Sequence, residues 1–205
     1  MATPPKPCDF SPMKTTIKED IQAVIGKLGQ VLRTLDDERD CLLCELENIK
    51  KSFLQIESGA ATFYLNCYLS PFIDRHEDVS LTIQNLSDRR HGALIAVERS
   101  EPLGPFLQPG IPVGAPVTHS LLESIFYPGN PLHDGAVWIR ANQIVSAKNV
   151  LPLSSVQGYD RITGTRHRAA VGLSERCDAI VLVVSEETGK ASFASNGLLY
   201  PVITP

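Results

Sequence analysis

The sequence predicts a mixed α/β fold, a central mixed β-sheet flanked by helices, preceded by an N-terminal α-helical hairpin. Two observations carry this. Apolar residues recur in steps of three and four through the first stretch of chain, the period of an amphipathic helix. From about residue 76 that rhythm gives way to short apolar runs alternating with shorter helical patterns, separated by Gly, Pro and Asp/Asn turns. An apolar share of 43% against 20% charged residues fits a globular chain with a substantial core.

Residues 1–12 are Pro-rich and are expected to be mobile. Ile17, Ile21, Val24, Leu28, Val31 and Leu35 then form one helical stripe. The rhythm resumes out of phase at Leu42, Leu46, Ile49, Phe53 and Ile56, since extending the first series puts Glu38 and Glu45 on the seam. The intervening Thr34-Leu35-Asp36-Asp37-Glu38 is rich in residues that start a new helix. A hairpin breaking near Asp36 is the simplest reading, with a single bent helix as the alternative. Two helices with one stripe each can bury it against one another, but more apolar surface remains than a lone pair hides, so the hairpin should dock on the remaining chain or on another subunit. Residues 58–72, with Phe63, Tyr64, Leu65, Tyr68 and Leu69, read as a helical connector stopping at Pro71. The chain therefore divides into residues 1–62, a helical regulatory or oligomerisation region, and residues 63–205, the α/β domain.

Within that domain, residues 77–86 read as a short helix and 93–98 as a buried strand. Residues 102–116 read as a Pro/Gly-rich loop, and Thr118 as the cap of a helix running to Phe126. Strand 136–140 turns at Ala141-Asn142 into strand 143–150. Thr165 is expected to cap a helix to about Arg176. The most apolar strand, 180–184, is followed by the turn Glu186-Glu187-Thr188-Gly189 and a last pair of short strands.

A net charge of -4 argues against a surface that coats nucleic acid. No apolar run approaches the ~18 residues needed to span a bilayer, and the first residues lack the apolar core of an export signal. A cytoplasmic protein is expected. Five Cys, an odd number without framework spacing, suit a reducing compartment. Cys41 and Cys44 form a CxxC, but inside a Leu-rich helical stretch, so packed, reduced thiols are expected.

Two polar runs stand out from this apolar background. Asn130-Pro131-Leu132-His133-Asp134-Gly135-Ala136 offers an imidazole beside a carboxylate, a donor set suited to a divalent cation. Gly164-Thr165-Arg166-His167-Arg168-Ala169-Ala170 sets two guanidiniums at a helix start, where backbone N–H groups and the helix dipole already favour an anion. The blander alternatives are an Asp-Gly turn, and Arg side chains paired with Asp160, Glu175 or Glu186. Taken together, the runs point to a site for a metal–polyphosphate.

These runs, with Leu151-Pro152-Leu153-Ser154 between them and Val183-Val184-Ser185-Glu186-Glu187-Thr188-Gly189 after them, resemble the diadenylate cyclase domain. That family is marked by Asp-Gly-Ala and Arg-His-Arg motifs, and the match extends over roughly residues 76–202. The helical leader resembles the soluble, CdaS-type members. The resemblance implies condensation of two ATP molecules into cyclic di-AMP with release of two pyrophosphates, in a homo-oligomer whose domains face one another. It implies a divalent metal, Mg²⁺ or Mn²⁺ with Co²⁺ as a further candidate. Asp134, Arg166, His167 and Arg168 would be catalytic. Gly135, Ala136, Leu151, Thr165, Arg166, His167 and Arg168 would hold ATP, and Asp134, His133 and Glu187 the metal. Val150 stands where relatives often carry an aromatic residue. The hairpin is expected to control assembly, inhibiting if it holds the sites apart and activating if it brings pairs together; the CdaS-type resemblance favours restraint of the cyclase within a higher oligomer. A non-catalytic ATP or cyclic-dinucleotide sensor of the same fold is the rival reading, and an inert helical scaffold the other.

Overall fold

The structure is a computed structural model and describes residues 9–35, 41–155 and 164–202. Helices α1 (Ser11–Thr34) and α2 (Leu42–Leu69) pack against one another as the expected hairpin. The expected breakpoint, Asp36 to Glu38, lies outside the described residues. Lys27 donates across the pair to Ser52, Nζ to Oγ 2.7 Å. Alternate members of the α1 stripe are covered: Val24 and Val31 are buried, whereas Ile21, Leu28 and Leu35 are exposed. One helix–helix seam covers one line of side chains, and the other edge of each stripe stays in solvent.

The connector expected over 58–72 is the continuation of α2. Its Ala61, Leu65 and Leu69, four apart on one face, enter the main core. The cysteine expectation is corrected. Cys41 is the N-cap of α2 rather than a residue within it, and the first helical turn brings it to Cys44, Cα–Cα 5.3 Å, in a disulfide. Cys67 is disulfide-bonded as well, and among the described residues only the buried Cys177 is free.

The domain that follows contains α3 (His76–Asp88), β1 (Ala93–Val97), a 3₁₀ turn (Gly104–Phe106), β2 (Ile111–Pro116), α4 (His119–Ile125), β3 (Ala136–Arg140), β4 (Gln143–Asn149), α5 (Thr165–Ser174), β5 (Ile180–Val184), β6 (Ala191–Ser195) and β7 (Leu198–Pro201). The strands form one sheet in the order β2-β4-β3-β1-β5-β6-β7. β1 and β3 are parallel and every other pair is antiparallel, so the sheet is mixed as expected. β1 and β5 are buried at all five positions, because both sheet faces are covered and alternate side chains enter different layers. Ala93, Ile95 and Val97 lie in a core with the end of α2, α3 and α4. Leu94 and Ala96 lie in a second core with α5 and the 103–107 loop.

Three local expectations change. The stretch 102–116 ends in an edge strand, β2, where Pro112 and Pro116 are tolerated because one side of the strand needs no partner. Gly164, not Thr165, is the N-cap of α5; Thr165 is already helical. The helix ends at Ser174, short of Arg176. The Thr118 cap is as read, its hydroxyl accepting from the Leu121 amide at 3.3 Å.

Candidate active site

Strand direction decides what meets what. β1 and β3 are parallel and β5 is antiparallel to β1, with Ala93 opposite Val184. The starts of β1 and β3 and the end of β5 therefore share one end of the sheet. Gly92 leads into β1, Asp134-Gly135 leads into β3, and Glu186-Glu187 follow β5. Ile95 pairs with Val137 in parallel register, so the segments leading into β1 and β3, which carry Gly92 and Asp134, enter the sheet from the same end.

The start of α5 is delivered to the same end. Arg166 Nη1 donates to Glu186 Oε2 at 2.8 Å. Its guanidinium lies so close to Gly92 that a Cβ there would sit 2.8 Å from Arg166 Cζ. The Arg166–Glu186 pair is one of the alternatives raised from sequence; Glu175 instead accepts from the Ser154 hydroxyl at 2.6 Å, and Asp160 lies outside the described residues. Arg166, first, and also His133 and His91 hold the Glu186 carboxyl below its ordinary range, which places both imidazoles within electrostatic reach of it. Burial lowers the His167 pKa; Arg166 adds to this and Glu187 opposes it. His167 is thus a neutral imidazole at pH 7, able to donate to or accept from a ligand.

His133 Nδ1 is 2.6 Å from the Asn130 carbonyl, which can only accept, so the ring proton belongs on Nδ1 and the Nε2 lone pair is left for a ligand. Asp134 is exposed beside it. Among the described residues no three His, Cys, Asp or Glu side chains form a ready cation cluster, so Glu187 does not join His133 and Asp134 in a preformed site. An imidazole and a carboxylate still suit a hard cation whose remaining ligands are phosphate oxygens and water.

Gly135 has φ +122°, and a Cβ there would approach the Lys148 Cα to 2.8 Å, so the turn carrying Asp134 can lie flat on β4 only with glycine. Ala136 and Leu151 are buried in the layer beneath α5, while Val150 is exposed. The Leu151–Ser154 motif runs along α5: the Ser154 amide donates to the Arg168 carbonyl at 3.1 Å. Gly172 admits that close approach, since a Cβ would collide with the backbone of Pro152 to Ser154. Thr165 is exposed and Arg168 half-buried at the same helix start. Sequence reasoning passed over Gly92, which lies between the expected helix 77–86 and the expected strand 93–98. Its signal was a glycine directly preceding a fully apolar strand.

Residues 80–199 match the family described as DisA bacterial checkpoint controller nucleotide-binding, and residues 6–72 match Diadenylate cyclase CdaS, N-terminal. The diadenylate cyclase CdaS of Bacillus thuringiensis (strain BMB171) is 49% identical over 93% of this chain and 94% of its own. The chain belongs to the CdaS-type diadenylate cyclases. The cyclic di-AMP synthase CdaS of Bacillus subtilis (strain 168) is 47% identical over 94% of this chain and 92% of its own. A crystal structure of a Bacillus cereus protein, described as a hypothetical membrane spanning protein, superposes with a TM-score of 0.81 at 48% identity, covering 94% of this diadenylate cyclase and 95% of that chain. Among the described residues of this cyclase no helix is long and apolar enough to cross a membrane.

Proposed function

We propose that this diadenylate cyclase joins two ATP molecules into cyclic di-AMP, releasing two pyrophosphates, at a site completed by two facing copies. The observation that carries the reading is that the Asp134 turn enters the same end of the sheet at which Arg166, at the start of α5, pairs with Glu186. The α-phosphorus of one ATP takes the 3′-oxygen of the other; a P–O bond forms, the bond to pyrophosphate breaks, and the 3′-hydroxyl proton leaves. Asp134 is placed to accept that hydroxyl's hydrogen bond and receive its proton. Arg166 exchanges Glu186 for phosphate oxygens, joined by Arg168, the Thr165 hydroxyl and the first amides of α5, and these cations and dipoles stabilise the leaving charge. Neutral His167 adds a hydrogen bond without adding charge. Gly135, Ala136 and Leu151 line the nucleoside.

His133 Nε2 and Asp134, with Glu187 as a third donor, would hold Mg²⁺, Mn²⁺ or Co²⁺, which when bound supplies Lewis-acid charge at the phosphates. Because attacking and attacked nucleotides lie on different copies, a lone domain binds ATP without turning it over. We place the enzyme in the cytoplasm and assign residues 63–205 to catalysis. Residues 1–62 restrain the cyclase by holding it in a higher oligomer; the exposed Ile25, Leu32 and Leu43 of the hairpin support an assembly surface.

Incubation with ATP and Mn²⁺ or Mg²⁺, followed by chromatography, should yield cyclic di-AMP. Asp134→Asn should reduce it by ~10² or more. ATP binding with no product from the unaltered chain would replace this reading with the sensor.

A further inference from the structure

Asn149, the last residue of β4, is 1% exposed and is the only buried side-chain amide among the described residues. Its Oδ1 accepts from the Ser146 hydroxyl at 2.8 Å and from the Gly110 amide at 3.0 Å, and its Nδ2 donates to the Ala136 carbonyl at 2.8 Å. One amide therefore joins three pieces of chain: its own strand, the loop before β2, and the residue directly following Asp134-Gly135.

The backbone here does not follow a regular ladder. Ala136 pairs with Asn149 but Trp138 pairs with Ser146, so two steps along β3 match three along β4. The extra residue lies in a bulge containing Lys148, which has φ +60° without being glycine. Gly135 rests on this bulge, against Lys148 Cα and the Asn149 carbonyl. Gly110 is pressed against the same bulge from the other side, where a Cβ would meet Lys148 C at 2.6 Å. A bulge turns the strand's path and can re-aim the side chains beside it. Here the Asn149 amide fastens the Ala136 carbonyl where the regular pairing is interrupted.

We propose that Asn149 is a positioning residue for the reaction. By clamping Ala136 to the Lys148 bulge and the Gly110 loop, it sets the direction in which Asp134 presents its carboxylate to the cation and the 3′-hydroxyl. The inference rests on the catalytic reading of Asp134 given above. It assigns to a side chain that touches neither nucleotide nor cation a share in the geometry of both. Outer-shell partners of this kind commonly change metal affinity by ~10–100-fold when removed, and misplacing a reacting group by ~1 Å costs ~10²-fold in rate.

The test uses the full chain with Asn149→Leu, which keeps the number and branching of side-chain heavy atoms and removes all three bonds, and Ser146→Ala, which removes only one bond to Oδ1. Steady-state rates are measured against ATP and against Mn²⁺. Mn²⁺ binding in the presence of a non-hydrolysable ATP analogue is followed separately by electron spin resonance, with melting temperature and oligomer size alongside. The expected result for Asn149→Leu is a kcat lower by ~10–100-fold, a KM for ATP within about twofold, and Mn²⁺ binding weakened by at least ~10-fold. Ser146→Ala should shift Mn²⁺ binding in the same direction by a few-fold, and it serves as the deciding variant if Asn149→Leu does not fold. Unchanged Mn²⁺ binding in the variant that folds overturns the proposal. So does a rate loss that only follows the folded fraction. No cyclic di-AMP from the unaltered chain would instead overturn the catalytic reading, a separate outcome.

Discussion

In the proposed reaction the Arg166 side chain would leave its resting contact with Glu186 for a working contact with phosphate. The carboxylate end of the pair is 63% exposed, and an ion pair so open to water stabilises a fold by about 0–1 kcal/mol. Glu186→Gln should therefore leave the melting temperature nearly unchanged in a thermal scan. Arg166→Ala should cut kcat/KM for ATP by ~10², and equal, small effects of both changes would mark the pair as structural only. His167 provides a pH signature. Its folded pKa is depressed, chiefly by burial, below the ordinary 6.5. As pH falls below about 6.5, the unfolded chain takes up a proton that the folded imidazole refuses, so stability declines from there towards the folded pKa. Thermal scans between pH 7.5 and 5.5 should show that loss, and His167→Gln should reduce it. These residues were legible in the sequence as Arg-His-Arg, yet their partners were not. Glu186 was one of three carboxylates that the chain offered Arg166, and only the end of β5 brought it within 2.8 Å.

At the level of elements, α5 is held by its fit to the Leu151–Ser154 segment rather than by a polar cap, since no side-chain bond closes its start. Gly172→Val places branched carbon into the backbone of Pro152 to Ser154. Overpacking of this kind costs ~1–3 kcal/mol, and it should both lower the denaturation midpoint and raise KM for ATP as the Arg166 end shifts. The hairpin carries the opposite lesson. Leu32 and Leu43 are 74% and 78% exposed, so Leu32→Glu with Leu43→Glu should not unfold the domain. If the hairpin assembles copies, light scattering should report a smaller particle, and specific activity should rise as restraint is lifted; unchanged size and activity would remove that role. Periodicity in the sequence located both helices but could not say which edge of each stripe is covered. It also put Cys41 inside a helix, whereas it caps one and meets Cys44.

For the whole molecule, if the nucleophile comes from one copy's nucleotide and the leaving group from another's, as proposed, the reaction must depend on association. Specific activity should fall as the enzyme is diluted below the dissociation constant of the facing pair, while ATP binding per chain stays constant; activity independent of dilution would rule out facing copies. A non-hydrolysable ATP analogue with Mn²⁺, present at ~100 times Kd, should stabilise the fold of the unaltered chain by ~2.7 kcal/mol, read as a rise in melting temperature.

The sequence by itself determined the alternation of helix and strand, the buried β1 and the strongly apolar β5, and the two polar runs to which the proposed chemistry is assigned. Each depends on local period or on residue type, and both are written along the chain. The tertiary structure decided that Gly92, Asp134 and Glu186 share one sheet end, that α5 lays Arg166 across it, and that a bulge clamped by Asn149 sets the Asp134 turn. Those outcomes follow from strand direction, register and close backbone approach, which relate residues far apart in sequence and leave no periodic trace in it.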